Sequence, residues 1–159
     1  MTRSIATKRK AARRIIESPE DIAVGVGALR RRCAVMARIA RLTGPPPLRR
    51  YAPDLEGLAR IVVGQQLSVA SADAIWRRTH AALAPITAHR LVVATDAELR
   101  GAGLSAGKMR TLRALGGAVH GGELDLGALV DESDDLVRER LTAIVGIGPW
   151  TADIFVLFC

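Results

Sequence analysis

The sequence predicts an all-α fold of roughly seven or eight short helices. Apolar residues recur at steps of three and four along most of the chain, which is the period of a helix. No run shows the strict alternation that is typical of a β-strand. Small polar residues precede several of the apolar stretches and glycine follows them, as expected at the two ends of a helix.

The first three predicted helices cover residues 20–42, 53–65 and 68–83. Ile22, Val26, Leu29, Cys33 and Met36 form the apolar stripe of the first, and the run TGPPP at 43–47 breaks the chain after it. Ser68 is the predicted N-cap of the third helix.

Four more predicted helices follow at 86–94, 96–103, 106–120 and 134–145. Thr95 is the expected N-cap of the helix at 96–103, and Ser105 is the expected N-cap of the helix at 106–120. We expect the last one to run up to Gly146.

Size and hydropathy indicate one ordinary globular domain. The chain has 159 residues and is 49% hydrophobic, but no apolar run approaches the roughly 18–20 residues of a membrane span. Cys33 and Cys159 have no spacing typical of a disulfide framework or a zinc site. We therefore expect a protein of the cytoplasm without membrane association.

Basic residues are concentrated near the N-terminus. The net charge is +7, the calculated isoelectric point is about 10.6, and more than half of the Lys and Arg residues lie within positions 1–50. Such a balance favours a polyanionic partner. We predict a basic N-terminal arm at 1–19, solvated or an organellar transit peptide, and a helical domain at 20–159.

The segment LTAIVGIGPW contains a glycine-rich turn between two predicted helices. Pro149 suits the first turn of the second helix, and glycines at 146 and 148 leave no side chain over the turn. Backbone N–H groups of such a turn can bind a phosphate. A tight interhelical turn without a ligand is the alternative.

Three blocks of sequence together resemble one family of proteins. They are LTAIVGIGPWTAD, which matches the helix-hairpin-helix motif, IVVGQQLSVASADAI at 61–75, and LRGAGLSAGKMRTLRALGGAV at 99–119. In this order they resemble the DNA-3-methyladenine glycosylase II family of base excision repair. The resemblance implies a helix-hairpin-helix glycosylase fold with its hairpin at 141–153. It also implies a monomeric protein of the bacterial cytosol or nucleoid whose partner is double-stranded DNA containing alkylated bases.

Trp150 narrows the activity that the resemblance implies. Bifunctional relatives carry a lysine at this position, where its amine attacks the sugar. Without the amine, the expected reaction is hydrolysis of the N-glycosidic bond alone. Trp150 is also the predicted residue of the base pocket, because its indole face attracts cationic alkylated purines; packing over the helix start is the alternative. Ile154 stands where relatives often have an aromatic residue, which leaves the substrate range open.

The resemblance assigns two further groups of residues to DNA contacts. Gln65, Gln66 and Leu67 form the expected wedge that fills the gap left by the flipped base, with a solvated polar turn as the alternative. Phosphate binding is expected at Gly146, Gly148 and Thr151. Ser105 and Lys108 are expected to be a helix cap and an exposed lysine, and a phosphate contact by Lys108 is the less favoured interpretation.

No cofactor is expected apart from a structural Na⁺ or K⁺ at the hairpin. The resemblance implies that backbone carbonyls of Thr142, Ile144 and Gly146 hold this monovalent cation, and free carbonyls at a helix end suit the role. His80, His89 and His120 show no metal-ligand spacing and are expected to be ordinary surface residues.

The family's catalytic aspartate is expected about two dozen residues beyond Gly146, after Cys159. The resemblance therefore predicts no catalytic residue within these residues and a glycosylase fold that is incomplete at its C-terminus. Asp153 is interpreted as a support of the hairpin and not as the acid. A non-catalytic DNA-binding module or an inactive remnant remains the alternative function.

Overall fold

The computed structural model describes residues 16–159. Within them it contains nine α-helices, one short 3-10 helix and no strand, which confirms the all-α class. None of these helices is both long enough and apolar enough to cross a membrane. Most of the predicted N-terminal arm lies outside the described residues. Backbone contacts divide the chain into two units, Met1–Arg49 and Arg50–Cys159, a boundary that the sequence analysis does not predict.

The described part of the first unit is a pair of helices, α1 (Pro19–Arg32) and α2 (Ala34–Thr43). The single helix predicted over 20–42 is wrong, because Cys33 has extended backbone angles, φ −144° and ψ 115°, and interrupts it. Ser18 and Asp21 form a capping box at the start of α1. Neither helix contains a buried residue.

The second unit contains the remaining elements. Its helices are α3 (Leu55–Gly64), α4 (Val69–Leu83), α5 (Ala88–Val93), α6 (Asp96–Gly101), α7 (Ala106–His120), the 3-10 helix (Ala128–Asp131), α8 (Asp134–Thr142) and α9 (Pro149–Phe158).

Side-chain caps start most of these helices. Ser68, Thr95 and Ser105 each accept a hydrogen bond from a backbone N–H in the first turn of the helix that follows, which confirms the three predicted N-caps. Asp54, Thr87 and Ser133 cap α3, α5 and α8 in the same way. Helix α9 differs, because its N-cap is Gly148 and no side chain caps it.

The core of the second unit includes the buried faces of α3, α7, α8 and α9, to which α4, α5 and α6 add further buried side chains. Leu58, Val62 and Val63 of α3 are fully buried, as are Leu115 of α7 and Leu141 of α8. Burying such aliphatic side chains is the main stabilising contribution to a fold of this size. The core therefore fixes the start of α7 and the α8–α9 hairpin relative to α3.

Helix α8 ends at Thr142 and not at Gly146 as predicted. The N–H of Ile144 bonds to the carbonyl of Leu141, a three-residue step that tightens the last turn. The tighter path directs both isoleucine side chains into the core, where Ile144 is 7% exposed and Ile147 is 4% exposed. Burial of these two side chains gives the physical reason for the early helix end.

Candidate functional site

The loop of the α8–α9 hairpin is anchored at two points. Ile144 and Ile147 are buried, and the N–H of Ile147 donates to the carbonyl of Ile144 at 3.0 Å. Between them, Val145 is 71% exposed. The loop therefore presents its tip to solvent while its flanks are held in the core.

Gly146 is required by both conformation and packing. Its φ is +88°, a region that side chains with a Cβ rarely adopt. A Cβ at this position would lie 1.8 Å from Oγ1 of Thr111, which is itself buried. The hairpin thus approaches α7 so closely that only glycine fits.

Gly148 is not required by the fold. Its backbone is extended, with φ −92° and ψ 175°, and any residue can adopt these angles. A Cβ built on it would meet no atom within 4 Å. The absence of a side chain here leaves free space in front of the first turn of α9.

The same turn offers unused hydrogen-bond donors. Among residues 16–159, no oxygen accepts a hydrogen bond from the amides of Gly148, Trp150 or Thr151. Amides at a helix N-terminus carry a partial positive charge from the helix dipole. This end of α9 is therefore chemically suited to bind an anion.

A cleft of about 290 Å³ joins three segments of the chain. It is lined by Gln65 and Gln66 from the α3–α4 turn, by Ser105, Gly107, Lys108, Arg110 and Thr111 from the start of α7, and by Val145 and Gly146 from the hairpin. No carboxylate lines it, whereas Lys108 and Arg110 contribute positive charge. The cleft thus brings Gln65 and Gln66 of the predicted wedge together with Gly146 of the predicted phosphate site, whereas Leu67, Gly148 and Thr151 do not line it.

The three predicted wedge residues have different surroundings. Gln65 is half-buried, and its Nε2 donates to Oγ1 of Thr151 at the start of α9. Gln66 is exposed with φ +56°, an uncommon backbone region for a residue other than glycine. Leu67 is 36% exposed. Gln65 therefore braces the turn, while Gln66 and Leu67 face solvent.

Thr151 is 3% exposed, and its hydroxyl is occupied by Gln65. Its side chain is consequently not accessible to a ligand. Among the atoms of Thr151, only the backbone N–H could contribute to the predicted phosphate site.

Lys108 contributes to the fold as well as lining the cleft. Its Nζ donates to the carbonyl oxygen of Val63 at 2.6 Å, in the last turn of α3. Burial lowers the pKa of this ammonium group below its usual value. Lys108 is thus not the freely exposed lysine expected from the sequence, because it satisfies a carbonyl at a helix C-terminus.

Trp150 is 59% exposed and is not among the residues that line the cleft. It lies in the first turn of α9, beside the unused amides. Its assignment to a base pocket stays a prediction. Ile154, one turn further along α9, is half-buried.

Asp153 joins the two helices of the hairpin. Its Oδ1 accepts a hydrogen bond from Nε of Arg138 on α8 at 2.6 Å. This hydrogen bond raises the pKa of Arg138 above its usual value. The contact confirms the predicted role of Asp153 as a hairpin support.

Arg110 and Thr111 line the cleft but are not among the residues predicted for the site. Both lie within the block LRGAGLSAGKMRTLRALGGAV, in which Thr111 is the only threonine. The close contact between Thr111 and Gly146 joins two separate blocks, so only the tertiary structure could reveal it.

Comparison with known proteins finds similarity to solved structures only. No protein-family model and no curated protein matches the chain. A DNA-3-methyladenine glycosidase from Bacillus halodurans is 32% identical with a TM-score of 0.66, and the match covers 89% of this chain and 64% of that one. This chain therefore spans slightly less than two thirds of the length of that relative.

A second similar structure is the Schizosaccharomyces pombe 3-methyladenine DNA glycosylase Mag1 in complex with abasic DNA. It is 26% identical with a TM-score of 0.76, and the match covers 85% of this chain and 69% of that one. Both proteins share the helical fold of this chain, and both carry the name of the family that the three sequence blocks resemble. The structural and sequence similarity to these two proteins agrees with the resemblance of the three sequence blocks to the 3-methyladenine DNA glycosylases.

Proposed function

We propose that this protein is a monofunctional DNA glycosylase that hydrolyses the N-glycosidic bond of alkylated purines, such as 3-methyladenine, in double-stranded DNA. The similarity to two 3-methyladenine glycosylases supports the substrate class. One structural observation carries the DNA-binding part of the proposal. Gly148 lacks a side chain although neither its backbone angles nor its packing requires glycine.

A DNA phosphate bound in front of α9 would explain why position 148 has no side chain. The phosphate would accept hydrogen bonds from the amides of Gly148, Trp150 and Thr151, which have no acceptor within the described residues. A side chain at 148 would occupy the space that the phosphate needs. Contacts of this kind position DNA without reading its sequence.

The α3–α4 turn supplies the proposed wedge. Gln66 and Leu67 are exposed, whereas Gln65 is bonded to α9. We assign insertion into the DNA to Gln66 and Leu67, and support of the turn to Gln65. An inserted wedge offsets part of the free energy lost when a base leaves the stack.

Trp150 is the proposed contact of the flipped base. Its exposed indole can stack on an alkylated purine, whose positive charge is attracted to the face of the ring. Because position 150 is not lysine, no amine is available there to form a Schiff base with the sugar. The proposed reaction is therefore simple hydrolysis.

The hairpin also has carbonyls that fit the proposed Na⁺ or K⁺. No backbone N–H among the described residues donates to the carbonyls of Thr142 and Gly146, and that of Ile144 accepts only one such bond. Oxygen donors of this kind suit hard cations. A bound cation would add positive charge beside the DNA phosphate.

A second candidate function is a DNA-binding module without catalysis. Hydrolysis of a glycosidic bond needs a carboxylate near the sugar, and none lines the cleft in the described part of the chain. Asp153 is bonded to Arg138. We propose no carboxylate of the described residues as the catalytic acid.

Incubation with methylated DNA separates the two candidates. The glycosylase proposal predicts release of free 3-methyladenine and accumulation of abasic sites, without strand cleavage. DNA binding with no base release would instead support the module. Strand cleavage through a covalent enzyme–DNA adduct would contradict the monofunctional assignment.

The phosphate site is tested by Gly148→Ser. Serine is a favoured N-cap residue, so its hydroxyl should accept a hydrogen bond from one of the free amides of α9. The free energy of unfolding of the variant should therefore be equal to or higher than that of the unaltered protein. The same hydroxyl blocks the phosphate, and affinity for DNA should fall roughly tenfold or more. Gly117→Ala is the matched control, because Gly117 has open space around it and lies on α7 outside the cleft. Unchanged DNA affinity of Gly148→Ser would refute the proposed site.

A further inference from the structure

Two histidines that are distant in sequence lie side by side in the structure. His89 is on α5 and His120 is the last residue of α7. Their ring centroids are 5.9 Å apart, the ring planes are inclined by 59°, and both side chains are exposed. The third histidine, His80, lies elsewhere beside Trp76 and Glu56.

Close packing of α5 on α7 holds this pair in place. A Cβ on Gly116 would lie 2.8 Å from the carbonyl oxygen of Ala88 and 2.8 Å from Cβ of Leu91, so the helices touch through the glycine. His89 follows Ala88 directly, and His120 lies one helical turn after Gly116. The two imidazoles therefore lie on helices that are in direct contact close to both histidines.

We propose that His89 and His120 form a two-histidine binding site for Zn²⁺ or a similar transition-metal ion. Neutral imidazole nitrogens are preferred ligands of such ions. Two imidazoles on one tetrahedral ion place their ring centroids roughly 5 Å apart, because each metal–nitrogen bond is about 2.0–2.1 Å long. Small rotations of two exposed side chains bring the observed 5.9 Å to this separation.

Water completes the coordination of the ion. The described residues contain no group of three or more His, Cys, Asp and Glu side chains that could hold a metal. The ion would therefore keep exchangeable positions and link α5 to α7 across their surface.

The proposed metal site is independent of the proposed DNA site. Gly107 and Lys108 line the cleft at the start of α7. His120 ends the same helix about 14 Å from Thr111, the cleft residue of α7 that is nearest to it, since an α-helix rises about 1.5 Å per residue. Failure of either proposal would therefore leave the other one intact.

Titration of the full chain with ZnCl2, followed by calorimetry and by the NMR signals of the histidine rings, tests the site. We expect one ion per chain, with the signals of His89 and His120 changing together and that of His80 unchanged. His89→Gln and His120→Gln should each raise the Kd at least about tenfold. Both side chains are exposed, so the variants are expected to fold.

Control variants identify competing ligands. His80→Gln and a Cys33→Ser/Cys159→Ser double variant should bind Zn²⁺ with unchanged affinity. Loss of binding in either control, or undiminished binding in His89→Gln and His120→Gln, would overturn the proposal. Absence of any saturable binding by the unaltered chain would overturn it as well.

Discussion

Two independent effects disfavour any residue with a Cβ at position 146. The positive φ would strain its backbone, and the Cβ would overlap with Thr111. Gly146→Ala should therefore lower the free energy of unfolding by about 3 kcal/mol, since it combines backbone strain with overlap in a packed region. Denaturant titration measures the loss. Gly117→Ala, at an unrestricted helical site, should change stability by no more than about 1 kcal/mol and in the stabilising direction. A loss below about 1 kcal/mol for Gly146→Ala would contradict the steric explanation.

Lys108 and Arg110 lie two positions apart on α7 and line the same cleft, but only Lys108 bonds to the carbonyl of Val63. Lys108→Met should cost about 1–2 kcal/mol of unfolding free energy, because that carbonyl loses its charged donor. Arg110→Met should leave stability within about 0.5 kcal/mol, because Arg110 is exposed. It should nevertheless weaken DNA binding. Equal effects of the two substitutions on stability would show that the Lys108 contact contributes nothing.

At the scale of the element, the capping box of α6 predicts a pH dependence. Glu98 accepts hydrogen bonds from Thr95 and pairs with Arg90 on α5, and the pairing with Arg90 is the main cause that lowers the pKa of Glu98 to about 2. Its stabilising contribution is complete above the usual pKa of 4.5 and is lost as pH falls from there to about 2.

Glu98→Gln should therefore lower the Tm at pH 7, and the difference from the unaltered protein should vanish as pH approaches about 2. Thermal unfolding at a series of pH values measures this convergence. Glu123→Gln is the control, because Glu123 is exposed and makes no ion pair with the described residues. A Tm difference for Glu98→Gln that is independent of pH would exclude the charge of Glu98 as its cause.

At the scale of the whole molecule, the net charge of +7 predicts salt-sensitive DNA binding. Each phosphate that a basic side chain neutralises should contribute about −0.9 to the slope of log affinity against log salt concentration. We expect a total slope of several units in fluorescence anisotropy with duplex DNA. Arg110→Met should reduce the magnitude of the slope by about one such contribution. A flat salt response would refute backbone recognition.

The local part of the fold can be predicted from the sequence because it depends on near neighbours. The caps Ser68, Thr95 and Ser105 bond to amides three residues ahead, so residue type and helical period are sufficient to locate them. The resemblance to one family and the position of the hairpin can likewise be read from the three motif blocks, since the residues of each block are contiguous.

Other features depend on residues that are distant along the chain. The early end of α8 follows from burial of Ile144 and Ile147, and the interruption at Cys33 is not signalled by the apolar period around it. The sequence does not show that Gln65 links the α3–α4 turn to α9, because its partner Thr151 is distant along the chain.

By itself, the sequence determines the all-α class, the starts of α4, α6, α7 and α8, and the resemblance to one family, because propensity, capping and contiguous motifs are local properties. Only the tertiary structure decides which glycine is structural and which is free for a ligand, because that depends on Thr111 beside Gly146 and open space beside Gly148. It also brings His89 next to His120. Packing between helices sets these distances, and no spacing along the chain encodes them directly.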